Sequence, residues 1–137
     1  MLLLAGSCRA ADFKWKSVKP GMLCGISGMA PLGAGRYLIV HDNKARAEAH
    51  LAVLQYKPGA AARFATIPWP KDGPDPVDLE SLTAAGLLAS NSFVALASGG
   101  KAFHVQLDGA GRKARLLRTF DLPSIGDGAN LEGIALY

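Results

Sequence analysis

Two short stretches hold the residues best suited to chemistry. Asp75-Pro-Val-Asp78-Leu-Glu80 and Asp127-Gly-Ala-Asn130-Leu-Glu132 share the pattern D-x-x-[DN]-L-E at a constant offset of 52 residues. Carboxylate and amide oxygens gathered this way favour hard cations such as Ca²⁺. Asp75, Asp78, Glu80, Asp127, Asn130 and Glu132 are therefore candidate metal ligands. Two neighbouring carboxylates can also share a proton and act as acid and base. A structural reading competes with both. Asp and Asn before a strand cap turns through their own backbone, and a repeated Glu can bond the backbone of a neighbouring element.

A second polar group, His41-Asp42-Asn43-Lys44, closes an apolar run. The corresponding place later in the chain is Ala97–Lys101, which contains Ser98. Asp42 and Asn43 offer oxygen ligands, and His41 can exchange a proton near neutral pH. These four residues and Ser98 are candidate substrate-binding residues; the competing reading, which the residue types suit well, is a turn between two strands. No residue is assigned a catalytic role. No serine sits in G-x-S-x-G, so a nucleophile elbow has no support. "GAGRYL" and "GAGRKA" fit neither G-x-G-x-x-G nor the P-loop. His50 and His104 read as structural residues, and Trp15 and Trp69 as core or loop anchors.

The elements that must position these residues follow from a repeat. "ISGMA" (Ile26–Ala30), "LESLT" (Leu79–Thr83) and "LEGIA" (Leu131–Ala135) share one pattern at spacings of 53 and 52 residues. "TIPWP" and "TFDLP" end the units, again 53 apart. Three further short runs lie inside each unit: Arg36–Val40, His50–Tyr56 and Arg63–Ile67, then Ser92–Ala97, Ala102–Leu107 and Arg115–Phe120. They are rich in β-branched and aromatic residues and bounded by "GAG", "KPG", "SGGK" and "DGAG", which predicts strands joined by turns. "TAAGLLA" (Thr83–Ala89) reads as the end of a strand and a loop with room for a helical turn.

Four short antiparallel strands repeated at about 50 residues are the signature of β-propeller blades. The expected fold class is all-β, with one blade over 26–70, a second over 79–123 and the first strand of a third over 131–137. A propeller closes with about 4–8 blades, so the chain reads as part of a longer ring. The rival architecture is a single two-sheet β-sandwich. The unpaired strand edges of an open ring are places for self-association.

Composition narrows the function classes. Half the residues are hydrophobic and 19% are charged, which is ordinary globular usage. The net charge of +4 is scattered, and Arg112-Lys113-Ala114-Arg115 is too small for a nucleic-acid surface. No stretch approaches the roughly 20 apolar residues of a membrane helix. Residues 1–10, "MLLLAGSCRA", look like the remnant of an export signal, with Cys8 and Ala10 small before a cut at Ala11. "LAGSC" also resembles a lipoprotein cleavage box with Cys8 lipidated. The expected location is periplasmic or extracellular, with a lipid anchor as one form. Residues 11–25 form a lead-in, and Cys24 reads as a small buried hydrophobe.

From Ile26 to Tyr137 the chain resembles the secreted propeller family called phytase-like, or esterase-like activity of phytase. The carrying residues are "SGMAPLGAGRYLIVHDN", "DLESL", "FVALASGGKAFHVQL" and "NLEGIAL". Propellers of the SdiA-regulated type are similar. The resemblance implies an exported ring of roughly six blades with phosphatase or esterase-like activity. Asp42, Glu80, Ser98 and Glu132 match its motif positions. Two functions follow as expectations: a ligand-binding envelope protein that takes a small molecule or phosphoester, or, in a complete ring, a Ca²⁺-assisted phosphoester or ester hydrolase.

Overall fold

The computed structural model of the chain describes residues 25–45, 47–123 and 130–136. The proposed leader, Cys8, Trp15, Cys24 and Asp127 fall outside them. Eight strands follow one another: β1 (Ile26–Gly33), β2 (Arg36–His41), β3 (Leu51–Gln55), β4 (Arg63–Ile67), β5 (Leu79–Ala84), β6 (Ser92–Ala97), β7 (Lys101–Leu107) and β8 (Ala114–Asp121). They form two antiparallel four-stranded sheets, in the orders β1-β2-β3-β4 and β5-β6-β7-β8. Within each sheet every strand pairs with the next in sequence, as short turns between alternating runs require. The described residues are all-β, and the two sheets coincide with the two sequence units.

Register fixes which residues face inward. Leu38 pairs with Val53, and Val40 with Leu51, which pairs with Ile67. Directly opposed residues share a face, so one face of the first sheet is an aliphatic row. In the second sheet Phe93 pairs with Val105 and Ala95 with Phe103, giving the facing row. The two rows, with Leu79 and Leu82, form the core between the sheets. The sheets approach closely along their first strands. A Cβ placed on Gly28 of β1 would lie 2.7 Å from the Leu82 nitrogen of β5. Only a residue without a side chain permits that approach.

Trp69 locks the connection between the sheets. Its indole Nε1 donates to the Pro74 carbonyl at 3.1 Å. Its ring meets Phe103 edge-on at 5.2 Å and His50 at 6.2 Å, the geometry aromatic quadrupoles prefer. The stretch after β5 makes one helical turn, with Leu88 and Ala89 both donating to the Ala85 carbonyl.

One expected element is not a strand. Residues 131–136 form no β-ladder, because no neighbouring strand among the described residues offers paired backbone groups. Two of their apolar side chains are partly buried all the same, while Ala135 and Leu136 are exposed. Leu131 and Ile134 pack on Val94, Leu96 and Ala102, the outer face of the second sheet. The Leu131 amide donates to the Ser98 carbonyl at 3.2 Å.

Candidate functional site

All eight strands begin or end at one of two ends of the sheets. At one end β2 and β6 finish and β1 and β5 start, so the polar motifs gather there. Both units enter their first strand through a left-handed residue, Gly25 at φ 68° and Asp78 at φ 58°. The carbonyl of each accepts a backbone hydrogen bond from the residue just after the second strand: Asp42 to Gly25 and Ser98 to Asp78, both at 2.9 Å. Each first strand then breaks register at its second residue. The shift falls between Ile26 and Gly28 in β1 and between Leu79 and Ser81 in β5. Ser27 and Glu80 are therefore the bulged residues. A bulge re-aims the side chain it carries.

These equivalent positions hold different chemistry. The Ser27 hydroxyl donates to the Leu79 carbonyl and so ties β1 to β5. Glu80 is half-buried and has no hydrogen-bond donor among the described residues. Burial raises its carboxyl above the usual range, and the neighbouring Glu132, Asp78 and Asp42 push in the same direction, against Lys44. Asp78 is better satisfied. Its carboxylate accepts from the Ser98 hydroxyl at 3.0 Å and pairs with Lys44 Nζ at 3.2 Å.

The structure thus brings together Asp42, Lys44, Asp78, Glu80, Ser98 and Glu132. Asn130 donates its side-chain amide to Glu132 Oε1. Three candidates have other surroundings. His41 is completely buried and does not reach the surface with its neighbours. Asn43 donates to the Ala49 carbonyl at 2.6 Å, which is the work of a turn residue. Asp75 acts electrostatically on His50 and is not among the charges acting on Glu80. Among the described residues no group of three or more His, Cys, Asp or Glu side chains has the arrangement of a metal site.

Three relationships were not read from the residues alone: the bulges, the tie between Ser27 and Leu79, and a buried pair in the second sheet. A signal existed for the first. Ser27 and Glu80 are 53 residues apart at the same place in the repeat. In the buried pair, His104 Nε2 meets Ser92 Oγ at 2.9 Å. Ser92 Oγ also lies 2.9 Å from the Ala85 carbonyl and 2.8 Å from that of Ala89. The hydroxyl proton is engaged by these carbonyls, so Nε2–H is the donor to Ser92. Deep in the sheet, with its oxygen occupied, this pair braces the turn after β5 and does not present a nucleophile.

No family model, curated protein or solved structure matches the chain.

Proposed function

We propose that the two sheets are neighbouring blades of a β-propeller, and that the chain binds a cation-bearing ligand at the end that carries Glu80. The observation behind this reading is the state of Glu80. Its carboxyl stands on a bulge and, among the described residues, lacks a hydrogen-bond donor and feels three other carboxylates with Lys44 as the one opposing cation. A bare carboxylate in that setting is relieved by a positive ligand, and Ca²⁺ is the simplest that matches oxygen donors. The 52- and 53-residue spacing, the matched bulges and the close approach of β1 and β5 support the blade reading. So does the resemblance to phytase-like propellers. Binding, and not hydrolysis, is the function the residues favour, because Ser98 is spent on Asp78 and His41 is buried.

Calorimetric titration of the full chain with CaCl₂ tests the reading. Saturable uptake is expected, weakened about tenfold in Glu80→Gln, since each charged ligand contributes strongly to a hard-cation site. Absence of uptake at millimolar Ca²⁺, or equal uptake by Glu80→Gln, overturns it.

A further inference from the structure

The carboxylates of the described residues are sorted along the strand axis. Eight of the nine described carboxylates lie at, or in connections that start and finish at, the Glu80 end. The opposite end is formed by the hairpin turns. There stand Arg36, Lys57, Arg63, Arg112, Lys113 and Arg115, with Asp108 as the single described carboxylate. Asp108 is already engaged: its Oδ1 accepts the backbone N–H of Arg112 at 2.6 Å and of Lys113 at 3.2 Å. None of the six cations has a carboxylate within ion-pair distance among the described residues.

Within this end one place is shaped. Arg36, Gln55 and Arg63 are cross-strand partners in register on β2, β3 and β4. Their side chains therefore leave the same face of the sheet. The two arginine Cα atoms stand about 9.6 Å apart, two strand spacings, with Gln55 between them. Gln55, Lys57, Ala60, Ala61 and Arg63 line a hollow of about 150 Å³. That is room for one small polyatomic ion with part of its hydration. Arg36 reaches from the row to the Ala110 carbonyl of the facing hairpin at 3.4 Å.

We propose that this hollow binds a sulfate- or phosphate-class oxyanion, with Lys57 and Arg63 supplying charge and Gln55 an amide donor. Arg presents a planar fork of N–H groups to such oxygens and Lys a point charge. The field of the whole end draws an anion to it. The inference is independent of cation binding at the other end, because the two sites share no residue.

The test uses the full chain at low ionic strength with two probes: inorganic pyrophosphate and a sulfated polysaccharide. Binding is followed by calorimetry, with Lys57→Gln/Arg63→Gln as the test variant and Lys71→Gln as the control. All are exposed, and circular dichroism verifies their fold. Saturable pyrophosphate binding that weakens about tenfold or more in the double variant, and not in the control, is expected for two lost charge-assisted contacts. Binding of the polymer alone, with the same sensitivity, also supports the site and assigns the oxyanion to a chain. Failure of both probes to bind overturns the proposal. So does binding that the control weakens as much as the double variant does, or salt-suppressed self-association without uptake of either probe.

Discussion

Gly25 and Asp78 occupy the same place in the two units and answer one packing demand in opposite ways. In the first unit the carboxylate belongs to Asp42, and Gly25 leaves space for it: a Cβ there would lie 1.7 Å from Asp42 Oδ1. In the second unit the carboxylate belongs to Asp78, and its partner is the small hydroxyl of Ser98. Gly25→Asp alone should destabilise the chain by about 1–3 kcal/mol, through overpacking and a left-handed φ. Adding Asp42→Ser recreates the second unit's pair and should recover much of that loss. Urea denaturation of the two single variants and the double variant measures the coupling; simple additivity would refute it. Glu80 gives a prediction of the other sign. Its carboxyl is raised in the folded chain, so ionising it costs stability, and that cost appears as pH rises through the unfolded value of 4.5 towards the folded one. Glu80→Gln should therefore be more stable than the parent at pH 7.5 and equal to it below pH 4, read from denaturation midpoints.

At the scale of strands and turns, alternation and turn residues made the sheets legible. Five of the eight strands start at the residue where the pattern puts them and the other three start one residue away, because turn residues mark their limits. β1 runs on to Gly33, past the repeated stretch, because the ladder continues to the tight turn at Ala34 and Gly35. What could not be read was anything that depends on a partner. The bulges at Ser27 and Glu80 exist only relative to β2 and β6, and residues 131–136 have the composition of a strand without the pairing. The candidate site was legible in Asp78, Glu80, Ser98 and Lys44. It was misleading for His41, whose type suggests exchange with solvent and whose place at the end of β2 buries it. The strand histidines carry a pH dependence. Burial lowers both His50 and His104, with the nearby Arg118 adding to the effect on His104. The unfolded chain then binds more protons than the folded one near pH 6.5 and just below. Stability is full above that value and is lost as pH falls through it towards the folded values, with a slope of up to about 1.4 kcal/mol per pH unit for each histidine. Midpoints measured between pH 8 and 5 should fall with acid, and His104→Gln should flatten the curve. Ser92→Ala should cost about 1–3 kcal/mol at every pH, since it strips His104 and two carbonyls of a shared partner.

For the molecule as a whole, composition conceals what the fold reveals. Among the described residues, charges that look scattered in the sequence fall into a cationic end and an end with eight of the nine carboxylates, once antiparallel strands bring the hairpin turns together on one side. The same two ends are joined through a single packed core, and Gly28 is where that union is most tightly drawn. A Cβ there meets the Leu82 nitrogen at 2.7 Å, the Ser81 carbonyl carbon at 2.8 Å and Val40 Cγ2 at 2.8 Å. Two of these atoms are backbone of β5 and cannot rotate away. Gly28→Ala must therefore push one sheet from the other, at about 1–3 kcal/mol. Gly86 and Gly109, which have open space around them, provide a comparison that should be nearly neutral. The sheets share Phe103, Leu38, Val40 and Leu79 in one cluster, so a wedge at Gly28 should loosen both together. Hydrogen exchange reads this directly: amides of β2 and β6 should lose protection by similar factors in Gly28→Ala. Loss confined to β1 and β2 would mean that each sheet stands alone, and the binding ends would then have to be treated as separate modules.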